Sequence, residues 1–87
     1  PGGLSLGDVR SAIASVPGVA GVHDLHVWAM SNDDTSCTVH VNLTPDANSD
    51  RVRKALSTMI EKRFDIMHIT IQTEAPGEGC DAAHGHA

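Results

Sequence analysis

Four residues of this 87-residue chain have the types and spacing of a metal site. His23 and His26 lie three positions apart in the segment GVHDLHVW, His40 lies in the next apolar segment, and Glu74 ends the segment HITIQTE. Imidazole nitrogen and carboxylate oxygen are common ligands of zinc and other divalent transition metals. The chain has six histidines but only one tryptophan, one phenylalanine and no tyrosine, which favours ligation over aromatic stacking.

Two amphipathic helices are predicted from the apolar spacing. In the first, which Pro17-Gly18 ends, the apolar positions are Val9, Ala12, Ile13 and Val16. In the second, they are Val52, Ala55, Leu56, Met59, Ile60 and Phe64, and the candidate N-caps are Asp46, Asn48 and Ser49. Each helix therefore has one apolar face to bury.

Three strands are predicted beside these helices. Residues 22–30 and 36–43 alternate between apolar and polar side chains, and SNDD between them has turn chemistry, so the pair predicts a β-hairpin. Residues 67–74 alternate again and predict a third strand, parallel to the second. The element order is αββαβ, in a domain at residues 5–74 between a linker at 1–4 and a flexible tail at 75–87.

Alternation along the strands separates two faces of the predicted sheet. The helix side receives Leu25, Val27, Cys37, Val39, Val41, Leu43, Ile69 and Ile71. The open face receives Asp24, His26, Trp28, His40, Asn42, His68, Gln72 and Glu74. A tryptophan among polar groups on an uncovered face predicts a contact with a partner, most simply a second copy of the chain.

The hairpin topology predicts that His23, His40 and Glu74 converge at one end of the sheet. Such a set would bind zinc, with water or a neighbouring chain as the fourth ligand. Strict alternation conflicts with this grouping, because it turns His23 to the helix side. The conflict disappears if the regular strand begins after His23 or contains a β-bulge. A pairing of His26 with His40 on the open face is the alternative.

Composition excludes several classes of function. The chain has a mass of 9.1 kDa, a formal charge of -5 and a pI near 5.5, and its six basic residues are dispersed or helical, so nucleic acid is not an expected partner. It contains no apolar stretch of the roughly 18 residues that a membrane helix needs. No nucleophile and base occur together, so an enzyme is not expected. The linker-like start PGG indicates a fragment of a larger protein.

The stretch GVHDLHVWAMSNDDTSCTVHVNL, followed by an amphipathic helix and HITIQTE, resembles the cytoplasmic C-terminal domain of cation diffusion facilitators. The resemblance extends from about Leu4 to Glu74 and is closest to the zinc-transporter and cobalt-zinc-cadmium efflux branch. It implies a ferredoxin-like (metallochaperone-like) α+β sandwich, with two helices on one face of a three-stranded mixed sheet. It also implies that the chain is the cytoplasmic domain of an inner (plasma) membrane protein and forms a homodimer. A six-helix transmembrane domain would precede it.

The resemblance further implies that bound divalent metal favours a compact dimer and promotes proton-coupled export. Transferred by position, the family's ligands fall on His23, His40 and Glu74, with Zn²⁺ as the expected ion and Co²⁺, Cd²⁺ or Ni²⁺ as substitutes. Relatives with a second site use a histidine in the second helix and another two residues before the acidic ligand. Here that helix has no histidine and Gln72 occupies the other position, so the pattern of a second site is incomplete.

The remaining histidines and one cysteine are secondary candidates. His26 and His68 lie on predicted strands, whereas Cys80, His84 and His86 in the segment CDAAHGH are loose counterparts of tail ligands in relatives. Two rival functions remain. A free-standing metallochaperone usually carries a paired-cysteine loop, which this chain lacks, and an ACT-like module would sense small molecules instead of metal.

Overall fold

The computed structural model describes residues 5–30 and 34–76 and contains the five elements in the predicted order. They are α1 (Leu6–Ala14), β1 (Val19–Ala29), β2 (Thr35–Leu43), α2 (Ser49–Phe64) and β3 (His68–Glu74). The sheet order is β1-β2-β3, with β1 antiparallel and β3 parallel to the central β2. The predicted α+β architecture is confirmed. Neither helix in the described part of the chain is long and apolar enough to cross a membrane.

Side-chain caps fix where the helices begin. The Ser5 hydroxyl accepts the Asp8 backbone N–H at 3.3 Å, and the Asn48 side chain accepts that of Arg51 at 3.0 Å. Of the three N-caps proposed for α2, Asn48 is therefore the one used. Helix α2 ends at Phe64, and its C-cap Asp65 has a left-handed backbone (φ 58°) and donates its N–H to the Glu61 carbonyl at 2.9 Å.

Both helices cover the same face of the sheet, as their apolar spacing predicts. The buried core consists of Val9, Ile13, Leu25, Cys37, Val39, Val41, Leu43, Val52, Leu56, Ile60 and Ile66. Val27, Ile69 and Ile71 pack against its edge, so the predicted helix side of the sheet is confirmed. Full burial of each such aliphatic side chain stabilises the fold by about 1.5–3 kcal/mol.

Gly18 connects the helix layer with the end of the sheet that carries Glu74. Its φ is 97°, and a Cβ added there would lie 2.7 Å from Val52 Cγ2. Its carbonyl accepts the Thr44 N–H at 2.9 Å, which joins the start of β1 to the end of β2. Only glycine combines this backbone conformation with such a close approach of α2.

A β-bulge in β1 resolves the conflict over His23. His23 lies opposite His40 and His26 opposite Thr38, so both Asp24 and Leu25 face the single residue Val39. Asp24 absorbs the extra residue with φ 54°. His23 and His26 therefore both lie on the open face despite their odd spacing. Pairing then continues to Val19, three residues before the predicted start of the strand.

Candidate metal centre

Three ligand-type side chains meet on the open face, one from each strand. Glu74 Oε1 lies 2.7 Å from His23 Nε2, and Glu74 Oε2 lies 3.0 Å from His40 Nδ1. One donor atom from each residue lies within 4.8 Å of the others. The imidazole rings are 5.3 Å apart at an interplanar angle of 70°. The side chains are 16% (His23), 34% (His40) and 14% (Glu74) exposed, so this is a partly enclosed pocket of two imidazoles and one carboxylate.

The sheet register brings these residues together. The bulge turns His23 onto the open face directly opposite His40. Gln72 is the β3 neighbour of His40, and Glu74 lies one alternation further, beside Asn42. Because β3 is parallel to β2 and β1 is antiparallel to it, the start of β1 and the ends of β2 and β3 share one end of the sheet.

The hydrogen bonds to Glu74 indicate which ring nitrogens donate. An ionised carboxylate only accepts, so His23 donates from Nε2 and His40 from Nδ1. His23 Nδ1 is then buried without a hydrogen-bond partner. A metal ion held at Nε2 would require the tautomer that carries its proton on Nδ1, where Asp24 Oδ2 lies 3.4 Å away. Asp24 would then be the carboxylate beside the second ring nitrogen, as is usual for a metal-bound histidine.

Asp24 is the one residue of this site to which the sequence assigned no role. Its Oδ2 lies 3.4 Å from His23 Nδ1 and 3.7 Å from His40 Nδ1, although its side chain is 63% exposed. The signal in the sequence is the odd spacing of His23 and His26, which puts both on one face of a continuous strand only if a bulge lies between them. Aspartate tolerates the left-handed backbone there better than most residues.

The other candidates lie apart from this cluster. His26 is exposed on the open face opposite Thr38, so the register pairs His40 with His23 and not with His26. His68 begins β3 at the far end, about 20 Å from Glu74 along an extended strand, and its Nε2 lies 3.5 Å from Asp34 Oδ2. Cys37 is a core residue, and burial raises the pKa of its thiol. Cys80, His84 and His86 lie outside the described residues.

The donor set fits a divalent metal ion in its chemistry and size. Ligand atoms around a tetrahedral zinc lie about 3.3 Å apart. One donor atom from each of the three residues lies within 4.8 Å of the others, so modest side-chain shifts would bring all three onto one ion. A lone pair from each of the three side chains would leave the fourth position to water or to a neighbouring chain. Each ligand atom must be free of its proton to bind a metal ion, so occupancy would depend on pH.

Comparison with known families gives a match over most of the chain. Residues 1–76 match the family model described as "Cation efflux protein, cytoplasmic domain". The chain is 42% identical over 85 residues to the metal cation efflux system protein CzcD of Cupriavidus metallidurans, covering 95% of this chain and 27% of CzcD. It is 32% identical over 76 residues to the human proton-coupled zinc antiporter SLC30A8, covering 87% of this chain and 21% of that protein. The chain thus spans about a quarter of the length of these relatives.

Solved structures give the same correspondence. The metal-bound C-terminal domain of the CzcD transporter superposes with a TM-score of 0.78 at 40% identity, covering 82% of this chain and 99% of that one. The copper form of the MamM C-terminal domain superposes with a TM-score of 0.70 over 84% of both chains. At 19% identity, the second likeness shows the fold alone.

Proposed function

Because the chain belongs to the family of cation efflux proteins, whose cytoplasmic domain matches residues 1–76, we propose that it is the regulatory, metal-binding and dimerising domain of a divalent-cation efflux transporter. Zinc binds His23, His40 and Glu74. The observation that carries this proposal is the single cluster of ligand donors within 4.8 Å among the described residues. The family membership agrees with the resemblance read from the segment around His23.

The ligand set favours zinc without excluding similar ions. Two imidazoles and one carboxylate suit borderline metals, and the general affinity order of divalent ions selects none of them on its own. Zn²⁺ is therefore proposed, with Co²⁺, Cd²⁺ and Ni²⁺ as substitutes. The name of the human relative specifies zinc, while that of CzcD specifies only metal cations.

Metal binding ties together the ends of all three strands. Without metal, Glu74 links His23 and His40 through two hydrogen bonds. With metal, coordinate bonds replace both contacts and fix β1, β2 and β3 relative to one another. A partner subunit that contacts the open face then meets a more rigid surface. In the transporter, this change favours the compact dimer and promotes proton-coupled export by the upstream transmembrane domain.

The tail has a secondary role in this proposal. Cys80, His84 and His86 supply donors that can complete the open coordination position, because the chain leaves β3 at Glu74, within the site. A chain truncated after Pro76 is expected to fold and dimerise but to lose one weak zinc equivalent or part of its zinc affinity. Calorimetry showing unchanged stoichiometry and affinity would remove the tail from the site.

Calorimetric zinc titration of His40→Ala tests the site itself. We expect zinc affinity to fall by more than about tenfold, since even residues that only orient metal ligands change affinity by 10- to 100-fold. His26→Ala is the matched control, because it removes an exposed histidine from the same sheet face outside the cluster. Equal affinities for His40→Ala and the unmodified domain would show that the site is wrongly assigned.

A further inference from the structure

Helix α2 carries a charge opposite to that of the rest of the chain. Its basic residues are Arg51, Arg53, Lys54, Lys62 and Arg63, five of the six in the sequence. With Asp50 and Glu61 as its acidic residues, α2 has a formal charge of five minus two, or +3. The remaining residues contribute one basic and nine acidic groups, or -8, which accounts for the total of -5. The acidic total therefore conceals one basic element.

Helix geometry places part of this charge on the outer side of the domain. Val52, Leu56 and Ile60 are at most 4% exposed and define the buried side of α2. At 100° per residue, the opposite side carries Arg51, Lys54 and Lys62, all of which are exposed. We call these three residues the basic stripe. Glu61 lies at its edge and offsets part of its charge.

The basic stripe is not neutralised by nearby carboxylates. Arg53 is paired with Asp50, and Arg63 lies over the Phe64 ring at 5.3 Å from its centre. By contrast, no ion pair within residues 5–30 and 34–76 includes Arg51, Lys54 or Lys62. These three charges face solvent on the side of α2 that points away from the sheet and from the metal centre.

We propose that the basic stripe binds the anionic phospholipid headgroups of the membrane beside which the domain lies. The inference rests on the proposed function, because membership of a transporter places a membrane within reach. Each basic residue near an anionic bilayer strengthens binding about fivefold, so three give about a hundredfold. A hundredfold gain is too small to hold a free polyanion such as a nucleic acid, to which binding proteins make about six to ten phosphate contacts. It suffices for a tethered domain, since tethering raises the effective concentration of the surface.

Vesicle sedimentation of the metal-free domain tests the proposal. The domain can be used alone because its core is formed by its own residues. The probes are phosphatidylcholine vesicles with and without phosphatidylserine. We expect binding only to the anionic vesicles at about 10 mM salt, where the Debye length is about 30 Å, and its loss near 0.15 M, where the Debye length is about 8 Å. The triple variant Arg51→Gln, Lys54→Gln and Lys62→Gln should lower the partition coefficient at least tenfold, whereas Glu61→Gln should raise it.

A second triple variant separates position from total charge. Ser11→Glu, Ala14→Glu and Ala20→Glu change the net charge by the same three units at exposed positions outside α2. This variant should retain most of the binding. Equal losses in the two triple variants, or equal binding to both kinds of vesicle, would overturn the proposal. Tighter stripe-dependent binding to a single-stranded oligonucleotide at the same phosphate concentration would also overturn it, by identifying a nucleic-acid surface.

Zinc titration of the same proteins distinguishes this inference from the proposed function. The basic stripe lies outside the metal centre, so its triple variant should bind zinc with unchanged affinity. Loss of zinc binding in His40→Ala together with unchanged vesicle binding is the expected pattern. If the unmodified domain binds anionic vesicles but no zinc, the proposed function fails and the lipid surface stands.

Discussion

At the residue scale, the main question is how the unprotonated nitrogen of His23 is satisfied. Glu74 accepts the proton of His23 Nε2, which leaves Nδ1 buried without a partner. An unsatisfied buried polar atom costs about 1–3 kcal/mol. A metal ion held at Nε2 would remove this cost, because the ring would then carry its proton on Nδ1, beside Asp24. Part of the zinc affinity should therefore depend on a residue that is not itself one of the three ligands.

Replacing Asp24 by asparagine tests this role. Asparagine also tolerates a positive φ, so the bulge should persist while the carboxylate charge beside His23 is lost. We expect zinc affinity to fall by about tenfold with little change in stability. Calorimetry and urea unfolding measure the two quantities. Asp34→Asn is the control, because Asp34 lies beside His68 at the opposite end of the sheet. The role assigned to Asp24 does not survive if both variants bind zinc like the unmodified domain.

Residue types predicted which donor side chains lie together better than they predicted the contacts within that cluster. His23, His40 and Glu74 are named by their chemistry and by the hairpin topology, and the structure brings them together. The sequence could not show whether His23 or His26 lies opposite His40, because the answer depends on a bulge between the two histidines. Asp24 was assigned to the open face without a role, since a left-handed backbone is not visible in a pattern of alternation.

At the element scale, the bulge in β1 and the position of His23 can be separated by experiment. Deleting Asp24 leaves Leu25 opposite Val39 and His23 opposite His40 in a regular ladder, because the bulge contains one extra residue. We expect this deletion variant to fold and to bind zinc about as tightly as Asp24→Asn. Calorimetry of the two variants side by side checks this. Much weaker binding by the deletion variant would show that the bulge also orients His23.

A second element-scale prediction concerns the junction of α1, β1 and α2 at Gly18. Gly18→Ala places a Cβ 2.7 Å from Val52 Cγ2 on a backbone with φ 97°, so it should reduce the free energy of unfolding by about 1–3 kcal/mol. Gly7→Ala in α1 is the matched control, because its Cβ would lie no closer than 3.7 Å to Ser5 Oγ, and it should stabilise the helix by up to about 1 kcal/mol. Urea unfolding giving equal values for both variants would contradict the packing described at Gly18.

Local periodicity predicted the elements well, but their ends depended on tertiary contacts. Helical spacing identified the buried faces of both helices apart from Ala55, which is exposed, and alternation identified the buried side of each strand. The start of β1 was placed three residues late, since pairing beyond the bulge extends to Leu43 opposite Val19. Such pairing depends on a residue 24 positions away in the sequence, which no local pattern contains.

At the scale of the whole molecule, the open face of the sheet is the surface expected to contact a second copy. Both helices lie on the other face, and Trp28 on the open face remains 45% exposed. The candidate metal ligands share this face with Trp28, so metal binding and dimerisation would act on one surface. A large exposed aromatic side chain among polar groups is typical of a protein interface. The twofold dimer remains a prediction, as does its compaction by metal.

Thermodynamic linkage relates zinc affinity to dimerisation, so each can be measured through its effect on the other. If zinc favours the dimer, dimerisation must raise the zinc affinity by the same factor. We therefore expect sedimentation velocity to show tighter self-association with zinc than without it, and calorimetry to show higher zinc affinity at protein concentrations above the dimer dissociation constant. His40→Ala should self-associate to the same extent with and without zinc, because it lacks a ligand but retains Trp28. Zinc affinity that is independent of protein concentration would mean that the site and the interface are uncoupled. A domain that stays monomeric at high concentration, with and without metal, would remove the interface altogether.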